Sequence, residues 1–337
     1  MQQFDTLIVG QGIAGSLMAY RLHQDKRSFK VMDAGHANSA SRVAAGMFTP
    51  VSGKRKTIHQ DVLKQIENAI AVYRAIEVLL GKNFLHLKNV YQLFDKEVDK
   101  ALLLSKAALP EYKNILLQPP HPLPGLKDEA GAIAINHSGW VDCPLFIHSF
   151  RQWLEAEEML LNEPFDYPAL QIKNDLFYYK DLQFKQLVFC EGYRAAVNPF
   201  FTEQNIIPCK GDIIGIITDG VSVSSIIKKD NFYMLPAGNQ VLKVGATYRW
   251  HNSDETLQAE SRRELELVAA TMLTDNNFTT VSHQTAIRAT TPGREVIATA
   301  HASIKNMYML NGLGTKGILN GPWYTKKLME IIFPKFN

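Results

Sequence analysis

Near the N-terminus an apolar run breaks off into three glycines: "LIVGQGIAG", residues 7–15, followed by "SLMAYRL". No other feature restricts the fold as much. Residues 4–9 read as a buried strand and 14–23 as a helix, so Gly10, Gly12 and Gly15 stand where strand becomes helix. Gly10 permits a tight turn, Gly12 lets a diphosphate approach the backbone, and Gly15 lets helix and strand pack closely. At the helix start, Ile13 and Ala14 present amides and the positive end of the helix dipole to such a phosphate. A second strand, 29–33, ends on Asp33, followed by Ala34. Asp33 lies 23 residues beyond Gly10 (33 − 10), where a carboxylate reaches a ribose 2′-hydroxyl. The acid disfavours NADP, whose 2′-phosphate it would repel, and leaves NAD and FAD open.

The 337 residues suggest about two domains, and a net charge of +3 does not advertise a nucleic-acid binder. Cys143, Cys190 and Cys209 form no CxxC pair, and no two histidines are four apart, so neither a disulfide framework nor a metal site is expected. Asp5 and the interrupting glycines argue against a signal peptide. Nowhere do about 18 apolar residues run together, so no membrane span is expected. The expected location is the cytoplasm.

An amphipathic helix is expected over 58–80, with Thr57 and Gln60 as its capping box and Gly81 as its left-handed cap. Residues 84–94 read as strand and 96–109 as helix. Asp142 and Pro144 open another helix. From 206 to 249, short β-rich runs separated by Asp219-Gly220 and Ala237-Gly238-Asn239 predict an antiparallel meander. A helix over 254–273 follows, with Asp254 and Glu255 in its first turn. The last helix is expected to begin with Pro322 in its first position and to end at Pro334.

At "SASRVAAGMFTPVSGKR" (39–55) the chain begins to resemble the D-amino-acid oxidase superfamily of FAD-dependent oxidoreductases, glycine oxidases and a tRNA wobble-uridine oxidase among them. "GWVDCPLF" (139–146), "LVFCEGYRA" (187–195), "NFYMLP", "VGATYRW", "AIRATTPGREVIAT" and "MYMLNGLGTKGILNGPWYTKKL" carry the likeness onward. It implies an α/β fold: a Rossmann-like FAD-binding domain (1–56, 137–205 and 283–337) with a discontinuous α+β substrate domain of antiparallel sheet plus helices (57–136 and 206–282).

The resemblance also gives residues roles. Ser41, Arg42, Ala45, Gly46 and Met47 correspond to the loop along the diphosphate and ribityl chain. Glu191 and Gly192 correspond to the turn beside FAD, where Glu191 replaces a small residue. Gly312, Leu313, Gly314, Thr315, Lys316 and Gly317 correspond to the loop beside the isoalloxazine ring. Arg288 corresponds to an arginine that forks onto a substrate carboxylate, as a guanidinium can. Tyr233 corresponds to a tyrosine of the same clamp, and Lys316 is a candidate beside the flavin. His283 and His301 read as structural.

The implied reaction is oxidation of a carboxylate-bearing amine, by hydride transfer to flavin N5, with oxygen or another acceptor taking the electrons. Glycine, an N-alkylglycine or a D-amino acid would fit. A carboxymethylaminomethyl group on tRNA is the less favoured substrate, its phosphates meeting "GKRK" (53–56). A flavin-binding protein without turnover is the alternative from another class.

Overall fold

A computed structural model describes residues 1–334, apart from 37, 54, 120, 121, 220, 222 and 223. Its opening strand, Gln2–Val9, ends in four buried residues, because it lies in the middle of a sheet. Leu160–Leu161, Phe29–Met32, Gln2–Val9, Leu182–Phe189 and Met307–Asn311 run side by side, each parallel to the next. Runs buried on both faces in this way are near-continuously apolar. Ile297–Ala300 adds an antiparallel edge, and Leu170–Lys173 and Leu176–Tyr179 form a meander on the first half of Leu182–Phe189. The opening helix Ile13–Gln24, the long helix Val62–Leu80, the helix Cys143–Ala156 and the closing helix Gly317–Ile332 share one core with this sheet.

A second, nine-stranded sheet runs in the order Arg249–Trp250, Ile207–Thr218, Leu242–Gly245, Phe232–Pro236, Ile226–Lys229, Val90–Leu93, Ala132–Ile135 and Leu116–Leu117. Phe278–Thr290 pairs along Ile207–Thr218 for twelve partners. Among the described strand pairs of this sheet, only Ile226–Lys229 with Val90–Leu93 is parallel. The turn at Gly238 (φ +77°) closes an antiparallel pair, as its sequence predicts. The Asp219-Gly220 turn falls partly outside the described residues. The helix Ala259–Met272 packs Leu265, Ala269 and Met272 beneath this sheet.

Several boundaries depart from expectation, each for a local reason. Thr57 does not cap a helix: Thr57–Ile58 pairs with Val51–Ser52, and the long helix starts at Val62. Its end at Gly81 (φ +61°) is as expected. Residues 84–94 split between sheets, Leu85–Leu87 pairing with Gly139–Val141. The helix after 96 is α-helical only over Glu97–Leu104, and a 3₁₀ turn continues to Ala108. Asp254 turns its carboxylate onto the Thr256 amide and hydroxyl, which delays the next helix to Ala259.

Pro322 is the sixth residue of the closing helix, not the first. A proline there removes the donor to the carbonyl four residues back. That carbonyl belongs to Ile318, and the buried Tyr73 hydroxyl of the long helix donates to it at 3.1 Å. The cost of an interior proline is thereby offset. Among the described residues no helix is long and apolar enough to cross a membrane.

Candidate functional site

The glycines of the opening turn are required by contact as well as by conformation. Gly10 has φ +101°, and a Cβ there would come within 2.4 Å of the Cys190 carbonyl oxygen. A Cβ at Gly15 would sit 1.8 Å from the Gly10 oxygen, and one at Gly12 would sit 2.9 Å from Ser41 Oγ. The Ile13 amide donates to Ser41 Oγ at 3.0 Å. The amides of Gly12, Ala14 and Gly15 find no acceptor among the described residues. Three free donors on a helix start form a receptor for an anion.

Asp33 closes the same turn from the neighbouring strand. Its Oδ2 accepts from the Gln11 amide at 2.8 Å, and its Oδ1 accepts from the Gly35 amide at 2.7 Å. Arg151, nearly buried on the helix Cys143–Ala156, donates to Oδ1 at 3.0 Å and to Asn162 at 2.7 Å. Oδ2 therefore retains a lone pair for a hydroxyl. Ala34 lies next to it, half-buried. The loop that follows carries Ser41 and Arg42 in the short helix Ala40–Val43, then Ala45, Gly46 and Met47. Gly46 (φ +72°) lies against Val141, where a Cβ would fall 2.0 Å from the carbonyl oxygen.

The two ends of the chain meet at this turn. A Cβ at Gly321 would lie 2.6 Å from Leu17 Cδ1, and one at Gly317 would lie 3.5 Å from Ile13 Cδ1. The opening and closing helices thus cross at their first turns. Because the closing helix begins at Gly317, its dipole starts directly after the glycine loop, five residues before the expected position. Gly312 (φ +70°) and Gly314 (φ +56°) shape that loop, with Leu313 packed under Gly317 and Thr315 and Lys316 exposed. The Gly314 amide donates to the Ala289 carbonyl at 3.0 Å, which fixes the loop beside Arg288.

Gly192 joins through its carbonyl, which accepts from Asn311 Nδ2 at 2.9 Å. Glu191 presents backbone, not carboxylate, to Gly10. Its side chain bonds Tyr167 at 2.5 Å and Asn198 at 2.7 Å, and burial raises its pKa. An acid is tolerated where a small residue is usual because its side chain turns towards these partners.

The facing wall belongs to the second sheet. Arg288, paired with Cys209 across the ladder, lays its guanidinium on Gly211, where a Cβ would meet Nη1 at 2.2 Å. It donates to the Thr247 carbonyl at 3.3 Å and stacks on Tyr248 at 4.7 Å. Among the described residues it forms no ion pair. Tyr233 is buried with its ring end against Gly245. Burial raises its phenol pKa, and the Arg288 charge only partly opposes this, so it stays a hydrogen-bond donor. Lys316 Nζ lies 3.4 Å from Ser52 Oγ, and its pKa is lowered, first by desolvation of its ammonium and then by Arg294.

Both histidines are engaged elsewhere. His283 contacts the fully buried Asp212 at 3.2 Å, and His301 accepts the amides of Ser303 and Ile304. Thr247 links the two networks, since its hydroxyl bonds Asp212 and its carbonyl holds Arg288.

Arg151, Gly211, Thr247 and Tyr248 escaped the sequence reading. Their contacts with Asp33 or Arg288 span at least 40 positions (288 − 248), or depend on a register that only the folded sheet defines. The one available signal was Gly211, an isolated glycine in a β-rich run, which marks close approach by another group.

A family model described as FAD dependent oxidoreductase matches residues 5–330. A glycine oxidase of Bacillus licheniformis is 22% identical over 295 residues, covering 81% of this chain and 77% of that protein. The solved glycine oxidase of Bacillus cereus ATCC 14579 superposes with a TM-score of 0.83 at 20% identity, over 99% of this chain and 96% of the other. The iminodiacetate oxidase of Chelativorans sp. BNC1 gives 0.80 at 19% identity, over 98% and 96%.

Proposed function

The chain belongs to the DAO family of FAD-dependent oxidoreductases, and from that premise we propose that it oxidises a carboxylate-bearing amine such as glycine, an N-alkylglycine or a D-amino acid. At the level of reaction class it is a FAD-dependent amine or amino-acid oxidoreductase. The names of its relatives, glycine oxidase and iminodiacetate oxidase, support the finer reading. The observation that carries it is Arg288, a half-buried guanidinium without a carboxylate partner among the described residues, set beside a buried tyrosine donor.

The residues present suit FAD. Free amides at Gly12, Ala14 and Gly15 form a cradle with no room for side chains, and they would receive the diphosphate with help from Ser41. Asp33 Oδ2 would accept a ribose hydroxyl. Arg42, Ala45, Gly46, Met47, Glu191 and Gly192 would border the ribityl chain, the last two by their backbone. Residues 312–317 and the start of the closing helix would lie against the flavin ring.

Bound FAD supplies a two-electron acceptor that takes hydride from the carbon next to the amine nitrogen and later yields the electrons to oxygen or another acceptor. The protein's part is positioning. Arg288 forks onto the substrate carboxylate while Tyr233 donates to one of its oxygens. Tyr248 stacks on the guanidinium and helps fix its plane. The amine enters unprotonated, and the imine product hydrolyses after release. No acid–base pair is required, because orientation and desolvation supply the advantage. A cytoplasmic setting suits three cysteines that are all free and buried.

The test is anaerobic. The purified protein should carry flavin absorbance, and glycine, N-methylglycine, iminodiacetate and D-alanine should be tried for bleaching. Bleaching by at least one is expected; a flavin that stays oxidised with all four sinks the reading.

A further inference from the structure

Three lysines from separate parts of the chain converge next to Tyr233. Lys228 stands opposite Tyr233 on one neighbouring strand and beside Gln92 on the other. Directly opposed residues in a sheet project from the same face, so Lys228 shares the face that carries Tyr233. Lys56 Nζ donates to the Gln92 side chain at 3.0 Å, which brings a second ammonium to the same place. Lys316 Nζ is 3.4 Å from Ser52 Oγ, and Ser52 pairs with Thr57, the neighbour of Lys56.

The charges act on one another. The Lys228 pKa falls to about 8, first through burial and then through Lys56 and Lys316. Among the described residues the one acid that acts on Lys56 is Asp230, and none of the three lysines forms an ion pair. Like charges held together are unfavourable unless an anion joins them, the more so where, as at Lys56 and Lys228, they are half-buried. None of the three is used by the clamp for the near carboxylate.

We propose that Lys56, Lys228 and Lys316 form a second anion subsite, which receives a phosphate or a second carboxylate at the far end of the amine substrate. Arg288 and Tyr233 hold the near carboxylate, and the substrate bridges the two. The identity of the near end rests on the amine-oxidase reading; the subsite itself does not.

The holoenzyme, and a Lys56→Met/Lys228→Met double variant of matched flavin content and Tm, are titrated with inorganic pyrophosphate by calorimetry. A Lys56→Gln/Lys228→Gln pair serves if the first fails to fold. Binding should weaken about tenfold or more in the variant. In turnover, iminodiacetate and N-(2-phosphonoethyl)glycine should exceed N-methylglycine in kcat/KM by about tenfold, and the variant should lose that advantage. The better of the two amines identifies the anion as carboxylate or phosphate. Lysine-dependent pyrophosphate binding without turnover of any amine keeps the subsite and removes the amine-oxidase reading. Equal pyrophosphate affinity in both proteins, or N-methylglycine as the best of the three amines, overturns the subsite.

Discussion

At Gly10–Gly15 the chain makes room by withholding side chains, whereas around Arg288 it makes contacts by supplying them. The first region is backbone against backbone: a Cβ at Gly15 would strike the Gly10 oxygen, and one at Gly10 would strike Cys190. The second is a guanidinium laid on Gly211 and capped by Tyr248, with its donor direction set by the Thr247 carbonyl. A cradle of the first kind serves any dinucleotide and has little freedom to vary. A wall of the second kind can be rebuilt one side chain at a time, which is how one fold accepts different amines.

That contrast can be broken by substitution, starting where the effect should be greatest. Gly15→Ala forces a carbon to within 1.8 Å of a carbonyl oxygen. A loss on the order of 5 kcal/mol in stability is expected, together with loss of FAD. Flavin absorbance and a denaturant titration measure both, and a flavin-replete Gly15→Ala protein would show that the cradle is not rigid.

Arg288→Ala should leave flavin content intact and cost about 2–5 kcal/mol in kcat/KM. Unchanged steady-state kinetics would remove Arg288 from the substrate wall. Tyr73→Phe leaves the Ile318 carbonyl without its donor and should lower stability by about 1–3 kcal/mol. A chemical-denaturation midpoint equal to that of the unaltered protein would mean that water replaces the phenol. Tyr233→Phe should be the mildest, about 1–2 kcal/mol in kcat/KM from one lost hydrogen bond. A greater loss at Tyr233 than at Arg288 would invert their ranking in the clamp.

The same contrast decides what could be read from the sequence. The strand–glycine–helix turn was legible because its determinants are local: periodicity, three glycines and an acid one strand away. The antiparallel character of 206–249 was legible from turn residues. Arg288 and Tyr233 came from a family resemblance, not from spacing. Arg151 could not be foreseen, because its partner Asp33 lies 118 positions away. Nothing in the sequence singles out Lys228, because only the sheet register sets it opposite Tyr233. Helix starts went wrong where side chains took other partners: Asp254 folded onto Thr256, and Thr57 entered a hairpin.

Tyr73 reaching the carbonyl vacated by Pro322 also works as an indexing pin. The match holds in one alignment only, since sliding the closing helix by a single residue would carry the gap away from the phenol and the phenol towards an amide-bonded carbonyl. The glycine loop that leads into that helix at Gly317 is thereby set in depth by a tyrosine some 240 positions upstream (317 − 73 = 244).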